Sequence, residues 1–445
     1  MGLGTSRPAL NGGGNAAGAP PAPASTKSLA QASRQKFGLA LFHNDSNPTN
    51  GVALLHGDRI RTFESRTALP SHGIWISTAV NGAVAQNFRP KDYLRSTLDA
   101  LSDDVGVMLR DVVVGVPCMA KLLDEISHIL AACHKWDDPQ VAWSKPTLAE
   151  VLRDSYPRTP DPKPGIVAPL RDAFQSYSAV PDRVVIKEGA GPQRQYTLRH
   201  NRLEYAQFLL SQPVPDPTAE WYAADFQNVE EILSCGLPTL VEVALEFDPP
   251  TAANPLDYSR LCAFGSTMSG RRSPGVVRRW VSTPEMVWLS KHAHVHVQQV
   301  LACSVAARPI EPAWKLPPAL MSDPLLCMSI AAGVVAEAHW VGLTMKRLRK
   351  REHSGASSKF EEFYSPMAVW LKAYDRAYGF FMAKQAALMG YEVVGYGYGA
   401  ITIQADKNEP SRLLDLADRL GVCHPNLASL QNRIDLGGAE SEVQP

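Results

Sequence analysis

Three histidines at alternate positions are the first residues whose type and spacing could do chemistry. They are His292, His294 and His296, in the stretch KHAHVHVQQV at residues 291–300. On a β-strand all three would lie on one face, as in an HxH metal pair, whereas on a helix only His292 and His296 share a face. The stretch is therefore either a candidate metal site or a packed segment.

The residues before the histidines favour a helix. Thr283 has the type and place of an N-cap, Pro284 suits a first turn, and Glu285 follows. A metal-binding barrel would need further ligands and more chain than the roughly 150 residues that follow. We therefore predict a helix at 284–307 whose histidines are packed or lie in a pH-sensitive contact. The alternative is a metal-dependent hydrolase that uses the three histidines.

Two basic segments are candidate nucleic-acid contacts. Residues 264–280, FGSTMSGRRSPGVVRRW, combine glycines with arginines but lack the GxxxxGK[ST] phosphate loop. Residues 345–355, MKRLRKREHSG, end a predicted helix, where cations also suit the helix dipole. A solvated surface or a subunit contact is the ordinary alternative for both. The RNA-facing candidates are Arg271, Arg272, Arg278, Arg279, Lys346, Arg347, Arg349, Lys350 and Arg351.

The segment AALMGYEVVGYGYGAITIQAD, residues 386–406, resembles in outline the hairpin that carries the catalytic aspartates of polymerase palms. Where DTD or GDD would stand, the sequence has GYGYGA. Without carboxylates at the turn, nothing there can hold two Mg²⁺ ions. We therefore predict a hairpin without polymerase activity.

No other catalytic pattern stands out in the sequence. It contains no GxSxG, HExxH, Rossmann GxGxxG or kinase motif set. Glu242, Glu246 and Asp248 could form an acid pair, but alternation along TLVEVALEF places both glutamates on the solvent face of a strand. We expect no cofactor and no catalytic residue.

Composition limits the classes of protein that fit. Lys plus Arg and Asp plus Glu both number 44, which gives zero net charge and favours self-association over colloidal repulsion. The seven cysteines form no CxxC pair, so a disulfide framework or a zinc ribbon is not expected. The longest apolar run, at 325–336, is too short to span a bilayer, and the N-terminal residues MGLGTSRPAL do not show the pattern of a secretory signal. We expect a soluble protein in a reducing compartment.

The order of the elements predicts an α+β fold, a helix-rich plate with small separate β-sheets. Strands are predicted in GVALLHGDRIRTFES, HGIWISTAV and TLVEVALEF, and a hairpin at 391–406. Helices are predicted in VPCMAKLLDEISHILAACHKW, RHNRLEYAQFLLSQ, FQNVEEILSCG and PSRLLDLADRLG, and at 284–307, 323–351 and 358–390. Long helices beside scattered strands do not fit regular βαβ winding.

Three segments divide the chain. Residues 1–35 form a Gly/Ala/Pro-rich arm, residues 36–430 an α+β domain, and residues 431–445 a tail. Within the domain, a proline-rich excursion separates possible lobes at 36–140 and 184–430.

In these features the chain resembles the capsid proteins of totivirus-like double-stranded RNA viruses of fungi. The arm NGGGNAAGAPPAPAS, the neutral charge and the loop GSTMSGRRSPGVVRRW carry the resemblance. It implies a structural coat protein in the virion and host cytoplasm, forming an icosahedral shell around double-stranded RNA. It also implies asymmetric pairing of identical chains and a packaged RNA-dependent RNA polymerase as a partner, with no membrane contact. A catalytically inactive RNA-binding scaffold is a further alternative.

Overall fold

A computed structural model provides the structure of the chain. It describes residues 37–43, 49–55, 61–69, 74–77, 88–89, 122, 125–132, 148–153, 170, 172–173, 184–186, 194–253, 255–262, 277–310, 326–345, 347–350, 360–405 and 410–422. The arm at 1–35, the tail at 431–445 and most of the proline-rich excursion lie outside these residues.

A mixed five-stranded sheet lies near the start of the chain. Its order is β3 (Arg61–Phe63), β2 (Gly51–Leu55), β1 (Phe37–Phe42), β4 (Ile74–Ser77) and β5 (Phe88–Arg89). β1 pairs antiparallel with β2 and parallel with β4. Alternate residues of β1 face opposite sides, so Leu41 joins the largest core cluster while Ala40 and Phe42 join a small separate one.

A second sheet is antiparallel throughout. Its order is β11 (Val277–Ser282), β10 (Thr239–Glu246), β12 (His294–Cys303) and β9 (Trp221–Ala224). One face of β10 is fully buried through Val241, Val243 and Leu245. A bulge interrupts its pairing with β12 between Glu242 and Val243.

A third sheet carries the predicted hairpin. Its order is β6 (Val184–Val185), β16 (Glu392–Gly397), β17 (Ala400–Ala405) and β7 (Arg194–Arg199). Two short pairs complete the described strands: β8 (Pro213–Val214) with β13 (Arg308–Pro309), and β14 (Arg347–Lys350) with β15 (Phe360–Phe363).

Helices separate and cover these sheets. A helical segment at 125–132 buries Ile126, Ile129 and Leu130 in the main core, as the sequence predicts. The labelled helices are α1 (Leu148–Arg153), α2 (Arg202–Leu210), α3 (Val229–Ser234), α4 (Tyr258–Leu261), α5 (Thr283–Leu289), α6 (Leu326–Thr344), α7 (Pro366–Leu388) and α8 (Pro410–Leu420). Small separate sheets between helices confirm the α+β prediction.

Helix α7 is the element that joins the layers. Ser365 caps its start by accepting a hydrogen bond from the Ala368 N–H, and Pro366 fits the first turn. Past its end, Gly390 adopts a φ of 84°, which favours glycine. The helix packs against α2, α5, α6 and the β16–β17 hairpin.

A buried ion pair network connects α7 to the second sheet. The Glu285 carboxylate, fully buried at the start of α5, accepts hydrogen bonds from Arg376 of α7 at 3.0 and 2.7 Å. The same Oε1 atom accepts from the Arg279 guanidinium of β11 at 3.1 Å. Its second oxygen accepts from the Ser282 N–H at 3.2 Å. One carboxylate thus holds a strand and two helices together.

The predicted helix at 284–307 is wrong beyond its first two turns. The α5 helix ends at Leu289, whose carbonyl accepts from the N–H groups of both His292 and Ala293. The chain then enters β12, where valines alternate with polar residues and pair with β10. The helix-start signal is followed by only a short helix. After it, apolar and polar residues alternate with a period of two and the apolar residues are β-branched, and both features favour a strand.

Two other helix predictions run past the true ends. The prediction at 323–351 is a helix only over Leu326–Thr344, and the basic residues after it form β14. The prediction at 358–390 is a helix only over Pro366–Leu388, after the strand β15. By contrast, the hairpin and the helices α2, α3 and α8 lie where the sequence places them. Gly236, with φ 69°, follows α3 as predicted.

We predict that Glu285→Gln strongly destabilises the fold. An amide cannot neutralise two guanidinium groups whose side chains are only 4% and 9% exposed, so the loss should be about 3–5 kcal/mol. Urea denaturation followed by circular dichroism measures it. Glu246→Gln, on an exposed position of β10, is the matched control and should leave the midpoint unchanged. Equal midpoints for both variants would contradict the structural role of the network.

Candidate functional site at the hairpin turn

The β16–β17 turn is formed by Tyr398 and Gly399. Both adopt left-handed backbone conformations, with φ of 55° and 65°. Two positive φ values between antiparallel strands are typical of a tight two-residue hairpin. A Cβ at Gly399 would lie 2.6 Å from Cδ1 of Tyr205, so the ring of Tyr205 also requires glycine there. The turn is packed against α2.

The Asp375 carboxylate of α7 accepts hydrogen bonds from the backbone of the turn. Its Oδ2 atom accepts from the Tyr398 N–H at 3.0 Å, and its Oδ1 atom accepts from the Gly399 N–H at 3.1 Å. The Tyr205 hydroxyl donates to Oδ1 at 2.5 Å. Burial raises the pKa of Asp375, while these three donors and the adjacent Arg376 act in the opposite direction. The carboxylate is a structural acceptor for the turn.

His200 and Tyr378 extend the site towards the surface. The Tyr378 hydroxyl lies 2.9 Å from Nε2 of His200, and the His200 ring stacks on Tyr205 with centroids 5.7 Å apart. The backbone N–H of His200 donates to the Gly399 carbonyl at 3.0 Å. Burial lowers the pKa of His200, which favours the neutral imidazole. We call His200, Tyr205, Asp375, Tyr378 and Tyr398 the turn cluster.

The chemistry open to the turn cluster is limited. It contains one carboxylate, and that group is 4% exposed and already accepts three hydrogen bonds. A two-metal mechanism needs several carboxylate oxygens open to both ions. The hairpin therefore resembles a metal-binding hairpin only in its backbone outline. The residues at its turn pack against the fold and do not provide carboxylates for metal ions.

The structure separates the three histidines that the sequence groups together. His294 and His296 lie on the exposed face of β12, as the strand alternative requires, and His294 Nε2 is 3.3 Å from the Asp248 carboxylate. His292 precedes the strand, and its ring stacks on Tyr258 at 4.3 Å. Burial, then the charges of Lys384 and Lys291, lower the pKa of His292. Across the described residues, no group of three His, Cys, Asp or Glu side chains is placed to share a metal ion.

The RNA-facing candidates fall into three groups. Arg271, Arg272, Lys346 and Arg351 lie outside the described residues. Arg278 belongs to β11, and Arg347, Arg349 and Lys350 belong to β14, which is a strand and not the predicted helix end. Arg279 is a correction: its guanidinium is 9% exposed and bonded to Glu285, so this residue does not face solvent.

Sequence patterns alone do not identify the buried charged side chains of α7. Asp375 and Arg376 are adjacent, oppositely charged and buried in the middle of the helix. One feature of the sequence does point to them: two charged residues stand between apolar stretches of a helix that face the core, where unpaired charges are rare. The solvent-side prediction for Glu246 is confirmed, since it is exposed on β10.

Comparisons with known proteins add little to this description. No family model matches the chain, and no curated protein matches it. An orthorhombic crystal form of phi29 DNA polymerase aligns over 84% of this chain and 81% of that chain, with a TM-score of 0.44 and 9% identity. A complex of phi29 DNA polymerase with single-stranded DNA aligns over 84% and 80%, with a TM-score of 0.43 and 8% identity. Likeness at this level supports no conclusion about this chain.

We predict that Asp375→Asn destabilises the protein by about 1–3 kcal/mol. One oxygen becomes an NH₂ donor, which must face a backbone N–H or the Tyr205 hydroxyl, so a buried donor loses its acceptor. Urea denaturation measures the loss. Asp418→Asn, on the exposed side of α8, removes the same charge and should have no effect. A wild-type midpoint for Asp375→Asn would show that the turn does not depend on the carboxylate.

We also predict that stability falls as the pH drops through 6.5. His200 and His292 have folded pKa values below 6.5, so the unfolded chain takes up more protons than the folded chain does. Their contribution is complete above pH 6.5 and is lost as the pH falls towards the folded values. Denaturation midpoints between pH 5 and 8 test this, and His292→Phe, which keeps an aromatic ring on Tyr258, should flatten the slope. An unchanged slope would exclude His292 as a contributor.

Proposed function

We propose that the chain is a non-catalytic structural protein that binds RNA. The observation that supports this best is the closed hairpin turn, where Asp375 accepts hydrogen bonds from Tyr398 and Gly399. A hairpin used for catalysis presents its acidic groups to the substrate. In this hairpin the carboxylate beside the turn comes from a helix and accepts hydrogen bonds from the backbone N–H groups of the turn. The turn cluster is thus a device that stabilises the fold.

RNA binding is the part of the proposal that rests on the basic segments. In β14, Arg347 and Arg349 occupy alternate strand positions within the densest basic run of the sequence. Their register places them opposite Phe363 and Glu361 of β15. Arginine and lysine bind phosphates mainly through charge, which makes such binding dependent on salt.

The experiment is a salt titration of binding to double-stranded RNA. We expect Arg347→Gln with Arg349→Gln to weaken binding and to reduce the slope of log K against log salt by about 1–2. The control, Lys291→Gln with Arg419→Gln, removes two exposed cations from other parts of the chain and should keep the wild-type slope. Equal slopes in both double variants would contradict a role for β14, and no measurable binding by wild type would end the RNA proposal.

A coat protein is the more specific form of this proposal. The zero net charge and the Gly/Ala/Pro-rich residues 1–35 are consistent with a chain that associates with its own copies. Electron microscopy of purified protein tests it: hollow particles of many copies support a shell, and a clean monomer or dimer would exclude one. Deleting residues 1–35 should reduce particle yield while leaving the circular dichroism spectrum unchanged.

The metal-dependent hydrolase is not proposed further. Its three histidines do not converge, because His292 stacks on Tyr258 while His294 and His296 lie along the exposed face of β12.

Among the described helices, none has both the length and the apolar character that crossing a membrane requires.

A further inference from the structure

Three elements bring a phenol, an imidazole and two ammonium groups to one surface. Tyr258 begins α4, Lys291 and His292 lie in the turn after α5, and Lys384 lies near the end of α7. The rings of Tyr258 and His292 stack with centroids 4.3 Å apart, and the Lys384 ammonium group lies 5.6 Å from the Tyr258 centroid. We call these four residues the basic patch.

Packed aromatic rings hold the basic patch in position. The Phe380 ring, one helical turn before Lys384, has its centroid 5.4 Å from that of His292 and 6.2 Å from that of Tyr258. The Trp288 ring stacks on Phe380 with centroids 4.4 Å apart. The polar ends of the patch therefore stand on a fixed base, which reduces the ordering cost of binding a ligand.

The polar groups of the basic patch have no partners in the part of the chain that the structure describes. No carboxylate there forms an ion pair with Lys291 or Lys384, although Lys384 is half-buried. The Tyr258 hydroxyl and the ring nitrogens of His292 likewise form no hydrogen bond with a described residue, although Tyr258 is only 7% exposed. Taking an ammonium group out of water without an anion beside it is unfavourable.

The charges that act on the His292 imidazole are both positive. Burial lowers its pKa most, and the charges of Lys384 and Lys291 lower it further. The acid next to the patch, Asp257, is engaged as the N-cap of α4, where its carboxylate accepts from the Arg260 N–H at 3.0 Å. The patch therefore combines two positive charges with a neutral imidazole and a free phenol.

We propose that the basic patch binds a terminal phosphate group, that is, a phosphate monoester. Such a group carries a charge of about −1.5 to −2 at pH 7, which matches the two lysines. The imidazole and the phenol supply two more donors for its oxygens. A carboxylate or a phosphate diester has a single charge and would leave one lysine unpaired. The site is separate from the RNA contact proposed at β14 and does not rest on it.

The first test is a titration with inorganic phosphate at constant ionic strength, followed through the NMR signals of the His292 imidazole. We expect a saturable shift and a rise in the pKa of His292, because an adjacent anion favours the imidazolium form. Lys291→Gln and Lys384→Gln should each weaken phosphate binding about tenfold, since each removes a charged hydrogen bond. Arg419→Gln, which removes an exposed cation from α8, is the control and should bind as wild type does.

Three results would overturn the proposal. One is the absence of a saturable shift of the His292 signals at millimolar phosphate. Another is equal affinity in Lys384→Gln and Arg419→Gln; Lys291→Gln guards against misfolding as an explanation, because Lys291 is exposed. The third is an equal shift when sodium chloride replaces phosphate, which would show charge screening alone.

A small molecule and the 5′ end of an RNA strand can both supply a terminal phosphate. Short RNA duplexes with 5′-phosphate ends and with 5′-hydroxyl ends, added to the phosphate complex, distinguish these sources. Displacement by the phosphorylated duplex alone identifies an RNA end as the ligand, and displacement by neither duplex identifies a small phosphate monoester. Equal displacement by both duplexes would contradict the preference for a terminal phosphate. Failure of RNA binding at β14 would leave the phosphate titration unchanged.

Discussion

The structure depends on two adjacent buried residues in the middle of helix α7. Asp375 and Arg376 leave α7 in different directions, the first to the β16–β17 turn and the second to Glu285 at the start of α5. Because Asp375 and Arg376 are consecutive in the helix, the position of the β16–β17 turn relative to the start of α5 is fixed by the geometry of one helical step. The third sheet, the second sheet and α2 are thereby held in one arrangement around α7.

Burying these charges is costly, and the geometry explains how the cost is offset. Glu285 meets two guanidinium groups and a backbone N–H, and Asp375 meets two backbone N–H groups and a phenol. A buried ion pair often contributes little net stability compared with apolar packing, but removing one partner is strongly unfavourable. The network therefore specifies one arrangement of the layers more than it increases the stability of the fold.

The sequence predicts most of the local elements here and few of the long-range contacts. The hairpin, α2, α3, α8 and the alternation of β10 follow from turn residues, caps and periodicity, which are properties of neighbouring residues. The segment 284–307 could not be assigned in this way. Its helix-start signal is real but serves only α5, and the strand that follows is stabilised by pairing with β10, about 50 residues earlier in the sequence. The basic run at 347–350 has the same explanation, because its strand requires β15 as a partner.

The candidate site was only partly visible in the sequence for the same reason. The glycines of the turn are visible in the sequence, but the carboxylate that binds the Tyr398 and Gly399 N–H groups comes from a helix that ends before the hairpin begins. The three histidines were conspicuous because they are close in sequence, yet the turn after α5 places His292 against Tyr258 and away from His294. Spacing identifies groups of residues only when the secondary structure that contains them is continuous.

Helix α7 also shows how one element can have a packed face and an exposed face. Asp375, Arg376, Gly379, Ala383 and Ala386 face inward, and Gly379 leaves room for the Tyr396 ring, which a Cβ would approach to 2.5 Å. Phe381 and Leu388 lie on the opposite side of the helix and are 52% and 56% exposed. Since helical geometry keeps the two sets about half a turn apart, a change in one set need not disturb the other. A helix that carries its buried charges on one face can therefore fix the fold of its own chain through that face alone, and Phe381 and Leu388 take no part in it.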